Sequence, residues 1–289
     1  MSDPTVSDDP MVSTAWLADH LEDANVILLD ATWYMPGGDR DARAEHAQAH
    51  IPGALFIDID EVSDHSNPLP HMLAEPHDFA THARRLGVEP QSLVVVYDSH
   101  GLFSAPRIWW SFRVMGHDNI RVLDGGLPKW ITEGRPVETG WPQKPHGEFK
   151  AHFDPSLVRS LAEVLTALTD GDAQLLDARA AARFTGEAPE PRQGLRGGHM
   201  PGARNLPSQA VVAADGRLRP ADELEQLFAQ AGVDLNRPIV TTCGSGVSAA
   251  ILALALARLG RDGAPVYDGS WTEWGGRADT PVVTGPADV

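Results

Sequence analysis

The run Gln174-Leu175-Leu176-Asp177-Ala178 repeats an earlier one, Ile27-Leu28-Leu29-Asp30-Ala31. Each is a short apolar stretch ending in aspartate, the pattern of a buried strand. Two further pairs follow in the same order. His50-Ile51-Pro52-Gly53-Ala54 returns as His199-Met200-Pro201-Gly202-Ala203, with Pro-Gly marking a turn. Leu123-Asp124-Gly125-Gly126, with Trp130 beyond it, returns as Tyr267-Asp268-Gly269-Ser270 with Trp274. Three ordered matches identify a tandem duplication.

Between these landmarks each copy holds another apolar run, Leu93-Val94-Val95-Val96-Tyr97 and Ile239-Val240-Thr241-Thr242, followed by a loop and a helix-like segment. The alternation predicts an α/β fold of two tandem domains, each a mainly parallel β-sheet flanked by α-helices. Helices are expected over Leu161 to Leu168, Asp222 to Ala231 and Val247 to Leu259, the last apolar nearly all round and therefore buried. The stretch after Gly140, rich in Pro, Gly, Lys and His, separates the copies. The expected boundaries are a first domain over 1–140, a linker over 141–155 and a second domain over 156–289.

A chain of 289 residues suffices for two domains that fold without disulfides or metals. Forty acidic against 23 basic side chains give a net charge of -17, which argues against nucleic acid or anionic membrane surfaces as partners. A small anionic substrate would need locally concentrated arginine, and arginine outnumbers lysine here. The acidic start MSDPTVSDDP lacks the character of an export signal, and the longest apolar run, Val247 to Ala257, is too short to span a bilayer. With a single cysteine, a reducing cytoplasm is the expected compartment.

That cysteine stands where the repeat breaks down. The loop after the Val94 run begins Asp98-Ser99-His100-Gly101, and its counterpart begins Cys243-Gly244-Ser245-Gly246. A free cysteine is most often a small buried hydrophobe. Between a strand end and a helix start, however, it meets backbone N–H groups without intrahelical partners, which favour a thiolate. The two glycines allow the loop to curl into a concave anion-binding nest. Downstream of the Asp177 run, Arg183 and Arg192 lie on one irregular segment, Arg183-Phe184-Thr185-Gly186-Glu187-Ala188-Pro189-Glu190-Pro191-Arg192. Such guanidinium groups are usually solvated, yet their fork suits a carboxylate.

Cys243-Gly244-Ser245-Gly246-Val247-Ser248 resembles the active-site loop CG[ST]GVT of the 3-mercaptopyruvate sulfurtransferases, members of the rhodanese superfamily. Ser248 replaces threonine and keeps the hydroxyl. Loops of thiosulfate-type rhodaneses carry an arginine and a lysine where Gly244 and Ser245 stand. The resemblance extends along nearly the whole chain, through His50-Ile51-Pro52-Gly53-Ala54, Ser104-Ala105-Pro106-Arg107 and Leu123-Asp124-Gly125-Gly126. It implies two rhodanese-like domains, only the second catalytic, with the site completed from the first across their interface. It implies Cys243 as the residue that carries sulfur as a persulfide, released afterwards to an acceptor thiol such as thioredoxin or to cyanide. It implies that Arg183 and Arg192 hold the substrate beside a loop of Gly244, Gly246, Val247 and Ser248. Asp39, His50 and Ser245 would form a proton relay by the same resemblance; since His199 repeats His50, both histidines could instead stabilise a turn.

Rival readings are a thiosulfate:cyanide sulfurtransferase, a cysteine phosphatase and a binding module without activity. The phosphatase would need an arginine at the end of a longer loop, absent from Val247-Ser248-Ala249. No glycine-rich phosphate loop followed by lysine occurs, so no nucleotide cofactor is expected. His65, His71, His77 and His82 are irregularly spaced and read as solvated or locally bonded side chains rather than a metal site. Trp109-Trp110 reads as core or interdomain packing.

Overall fold

The computed structural model describes residues 9–35 and 37–287. Most of the opening segment read above for an export signal lies outside them. In the first half the elements are β1 (Met11–Val12), α1 (Thr14–His20), β2 (Val26–Asp30), α2 (Ala42–Gln48), β3 (Leu55–Phe56), α3 (Pro76–Arg85), β4 (Leu93–Tyr97), α4 (Ala105–Val114), β5 (Ile120–Leu123) and α5 (Gly126–Thr132). The second half adds β6 (Val158–Arg159), α6 (Leu161–Asp170), β7 (Gln174–Asp177), α7 (Ala181–Phe184), β8 (Arg204–Asn205), α8 (Ala221–Gln230), β9 (Ile239–Thr242), α9 (Ala249–Arg258), β10 (Val266–Tyr267) and α10 (Ser270–Trp274).

Each half forms a five-stranded sheet, ordered β1-β5-β4-β2-β3 and β6-β10-β9-β7-β8. Their ladders are parallel throughout. The duplication extends to register: Asp30 pairs with Tyr97 and Asp177 with Thr242, so the two aspartates end equivalent strands. Both β4 and β9 are buried on both faces, which explains their unbroken apolar and β-branched runs. As the middle strand of its sheet, each delivers the loop that follows to the carboxyl edge, where α/β sheets bind ligands.

Helices α4 and α9 pack against each other and join the two halves. One apolar cluster contains Val96, Ile108 and Trp109 from the first half together with Leu252, Leu254 and Val266 from the second. With its own sheet on one side and the partner helix on another, α9 is buried from Ala249 through Ala257. Trp110 also ties the halves together by donating its ring N–H to the Leu157 carbonyl at 3.1 Å. At Gly101 the backbones meet so closely that a Cβ would lie 2.7 Å from Gly216 Cα. Helix α9 begins two positions later than expected because Gly246, at φ +78°, interrupts any helical run through Val247.

Among the described residues no helix is long and apolar enough to cross a membrane. Leu254 has no solvent exposure. Leu254→Ala should therefore lower unfolding free energy by about 3 kcal/mol, a loss set by the cavity left in a core unable to collapse. Urea denaturation measures this; a loss below about 1 kcal/mol would mean that the interdomain core closes around the gap.

Candidate active site

Cys243 leaves the end of β9 and is 2% exposed. Its backbone is pinned from behind by the start of α10. The Cys243 N–H donates to Ser270 Oγ at 3.2 Å, and its carbonyl accepts from Trp271 N at 2.9 Å. The Gly244 carbonyl accepts from Thr272 N at 2.9 Å. Beyond these anchors, the N–H groups of Gly244 through Ala249 donate to no acceptor among the described residues.

The first copy shows what such a loop does with an anion. There the wholly buried Asp98 takes the cysteine's place, and its carboxylate accepts from His100 N at 2.9 Å, Phe103 N at 2.7 Å and Ala105 N at 2.9 Å. The first nest is filled by its own side chain. In the second, the N–H groups at Ser245 and Ser248, which match His100 and Phe103, stay free for a charged sulfur or an incoming ligand.

A cavity of about 510 Å³ opens on this loop. Cys243, Gly244, Ser245, Val247 and Ser248 line it, with Arg183 and Arg192 on an adjacent wall. Trp33, Met35, His100 and Phe103 of the first half close it. Gly246, also expected at the substrate, does not line it: this residue lies behind the loop, where a Cβ would fall 2.7 Å from Arg107 Nη1. A larger hollow, about 850 Å³, opens at the opposite end of the second sheet around Pro238, Ile239 and Arg261 and holds no nucleophile.

The wall arginines are held differently. Arg179 is buried, bonded to Asp177 and stacked on Trp271, and it shares Glu190 with Arg183. Glu190 thus engages two guanidinium groups, leaving Arg183 partly neutralised. Arg192 has only His71 Nε2, at 3.4 Å, as a hydrogen-bond partner among the described residues. Burial lowers the Arg192 pKa from its ordinary value, while the nearby Cys243 opposes that fall. The guanidinium remains a cation at neutral pH.

His71 departs from the expectation for its histidine-rich stretch. It is buried, with Nδ1 2.9 Å from Asp60 Oδ1 in a contact bent away from a linear hydrogen bond. His71 and the Trp33 ring N–H, at 2.8 Å, hold the Asp60 carboxyl below the usual carboxylate range. Asp60, His71 and Arg192 therefore form a chain of contacts from the first domain to the cavity wall. The signal that could have revealed it was the one that exposed Cys243. Ile57 N bonds Asp30 O as Leu206 N bonds Asp177 O, which sets Asp60 against Gln209, another break in the repeat.

Among the described residues no hydrogen bond links Asp39, His50 and Ser245, the residues of the expected relay. Ser245 lines the cavity, but Asp39 is exposed and neither it nor His50 is among the lining residues. The buried His50 donates through Nδ1 to the His46 carbonyl at 2.7 Å, stacks on the His46 ring at 4.2 Å and bridges to Glu138 through its backbone. His199 repeats the arrangement, with Nδ1 2.9 Å from the Phe184 carbonyl and a backbone bridge to Val283. The two histidines thus bond alike at equivalent turns.

The whole arrangement, a nest-borne thiol in the second of two matched α/β domains, defines a rhodanese. The Rhodanese-like domain model matches residues 13–133 and 160–277, and the chain belongs to that family. More particularly, it is 46% identical over 272 residues to the 3-mercaptopyruvate sulfurtransferase of Escherichia coli, covering 94% of this chain and 96% of that one. The 3-mercaptopyruvate sulfurtransferase of Rattus norvegicus is 43% identical over 93% of this chain and 92% of its own. The crystal structure of the Escherichia coli 3-mercaptopyruvate sulfotransferase SseA superimposes with a TM-score of 0.84 at 44% identity, covering 90% of this chain and 98% of that one.

Asp98→Ala should lower stability by about 3 kcal/mol, since three backbone N–H groups lose a charged acceptor that is itself wholly buried. A denaturation midpoint equal to the parent's would show that water replaces the carboxylate without loss.

Proposed function

We propose that this chain moves sulfur from 3-mercaptopyruvate to a thiol acceptor or cyanide through a persulfide on Cys243, releasing pyruvate. The observation that carries the reading is the juxtaposition of Cys243, in a loop of unengaged N–H groups, with Arg183 and Arg192 across one cavity.

In the first half-reaction the Cys243 thiolate attacks the sulfur of the substrate thiol. An S–S bond forms and the substrate's C–S bond breaks, its electron pair leaving on the enolate of pyruvate. The proton originally on the substrate sulfur balances the one gained by the enolate carbon, so the enzyme is left as a persulfide anion. The loop N–H groups stabilise that charge on sulfur. Arg192 takes the substrate carboxylate, with Arg183 beside it, and Ser245 offers its hydroxyl for proton exchange inside the cavity. His71, backed by Asp60, positions Arg192.

In the second half-reaction an acceptor thiolate attacks the outer sulfur and restores Cys243. Thioredoxin is the proposed protein acceptor, because its dithiol can expel the sulfur as sulfide after taking it up. Thiosulfate is the competing donor, since the thiosulfate sulfurtransferase of Cricetulus griseus is 42% identical over 272 residues. Gly244 and Ser245 offer that dianion no side-chain cation.

Intact-protein mass spectrometry after mixing with each donor tests the reading. One added sulfur on the parent and none on Cys243→Ser, formed faster from 3-mercaptopyruvate, is the expected result. Faster loading by thiosulfate would instead favour that donor, and no added sulfur from either would remove the persulfide. Arg192→Ala should raise KM for 3-mercaptopyruvate by about 10- to 100-fold, the worth of a charge-assisted bond to carboxylate. Arg183→Ala should raise it less because Glu190 already engages that guanidinium. Equal effects in steady-state kinetics would contradict this ranking.

A further inference from the structure

The first domain reaches the cysteine loop through one buried side chain. Arg107, on α4, is 3% exposed and lies across the domain boundary. Its Nη1 donates to Asp268 Oδ1 at 2.7 Å and to the Gly246 carbonyl at 3.5 Å. Its Nη2 donates to the His71 carbonyl. Asp268, itself 4% exposed, uses Oδ2 to accept from Leu73 N at 2.7 Å. The guanidinium plane is held 4.4 Å from the Trp110 ring centroid.

Two contacts of this fork fall on backbone carbonyls beside the site, those of Gly246 and His71. Gly246 is in the left-handed region at φ +78°, and Arg107 occupies the space a Cβ would need. His71 is one of two non-glycine residues with positive φ among those described, at φ 60°, a conformation that persists only where surroundings enforce it. Arg107 bonds that residue's carbonyl, and Asp268 accepts from the Leu73 N–H two residues on. A buried ion pair is a poor source of stability compared with an apolar pair of similar volume. Here it fixes geometry instead.

We infer that Arg107 and Asp268 are positioning residues, setting the register between the persulfide loop and the His71 segment that supports Arg192. Arg107 does not touch substrate; it acts through the Gly246 and His71 carbonyls. Without it, the peptide after Gly246 is free to rotate, and the N–H groups that meet developing charge on sulfur lose their common aim. This rests on the reading of Cys243 as sulfur carrier.

The test is single-turnover persulfide formation at saturating 3-mercaptopyruvate, followed by mass, with melting temperature measured in parallel. Arg107→Lys keeps a cation for Asp268 but cannot bond both carbonyls as a fork does. The double variant Arg107→Met with Asp268→Asn removes the charge pair together, avoiding an orphaned buried charge. Both should fold with a melting temperature near the parent's and load sulfur at least tenfold more slowly at saturating donor, with KM raised by less than the loss of Arg192 itself would raise it. Arg113→Ala, which loses another interdomain pair, to Asp262 at 2.8 Å, should load at the parent rate. If either Arg107 variant folds and loads within twofold of the parent, the inference is overturned. If the double variant fails to fold, Arg107→Lys decides. A parent that takes up no sulfur would defeat the persulfide reading instead.

Discussion

A backbone N–H removed from water needs an acceptor, and the loop leaving the middle strand of each sheet concentrates several such groups in one place. The protein meets this constraint twice. Asp98 supplies a fixed carboxylate and closes the first loop permanently. Cys243 supplies a sulfur whose charge changes as it reacts, leaving the second loop as an anion site with a variable occupant. Electrostatic stabilisation that is already oriented costs no reorganisation at the moment of reaction. The inert copy and the reactive one are thus two solutions to the same backbone problem, set apart by the side chain that heads each loop.

The parallel sheet, the duplication and the cysteine loop were legible because they are local. Strands such as Leu93–Tyr97 advertise burial on both faces, and Cys243 against Asp98 needs only alignment of the chain with itself. His50 was harder to read for the opposite reason. The turn motif around it occurs in both copies, so a role in one active site would leave His199 unexplained, and the structure gives both the same carbonyl-bonded part. Periodicity also placed the start of α9 two residues early, since it cannot register the left-handed backbone at Gly246.

His71, Arg107 and Asp268 were illegible for a different reason. Their partners come from segments far apart in sequence, brought together by the packing of α4 on α9. No spacing rule links His71 to Arg192, 121 positions away. Only the apolar surface of α9 hinted at a second helix there, and apolar surface names no polar partner. Interdomain polar contacts follow from the docking angle of two helices, which the pattern of a single chain segment does not encode.

That docking also explains how a chain of net charge -17 can receive an anionic substrate. At physiological salt, exposed charges are screened beyond a Debye length of about 8 Å, so distant carboxylates contribute little inside the cavity. What matters is the balance within a few ångströms. Asp177 and Glu190 bind Arg179, and Glu190 also restrains Arg183, so the buried acids are consumed in orienting cations. Arg192 instead faces a histidine, with Asp60 one residue further back. His71 Nε2 meets Arg192 at 3.4 Å, so an imidazole rather than a carboxylate orients the guanidinium, without cancelling its charge. The first domain therefore contributes the one kind of support that a carboxylate from the second could not give: alignment of a cation that remains available to the substrate.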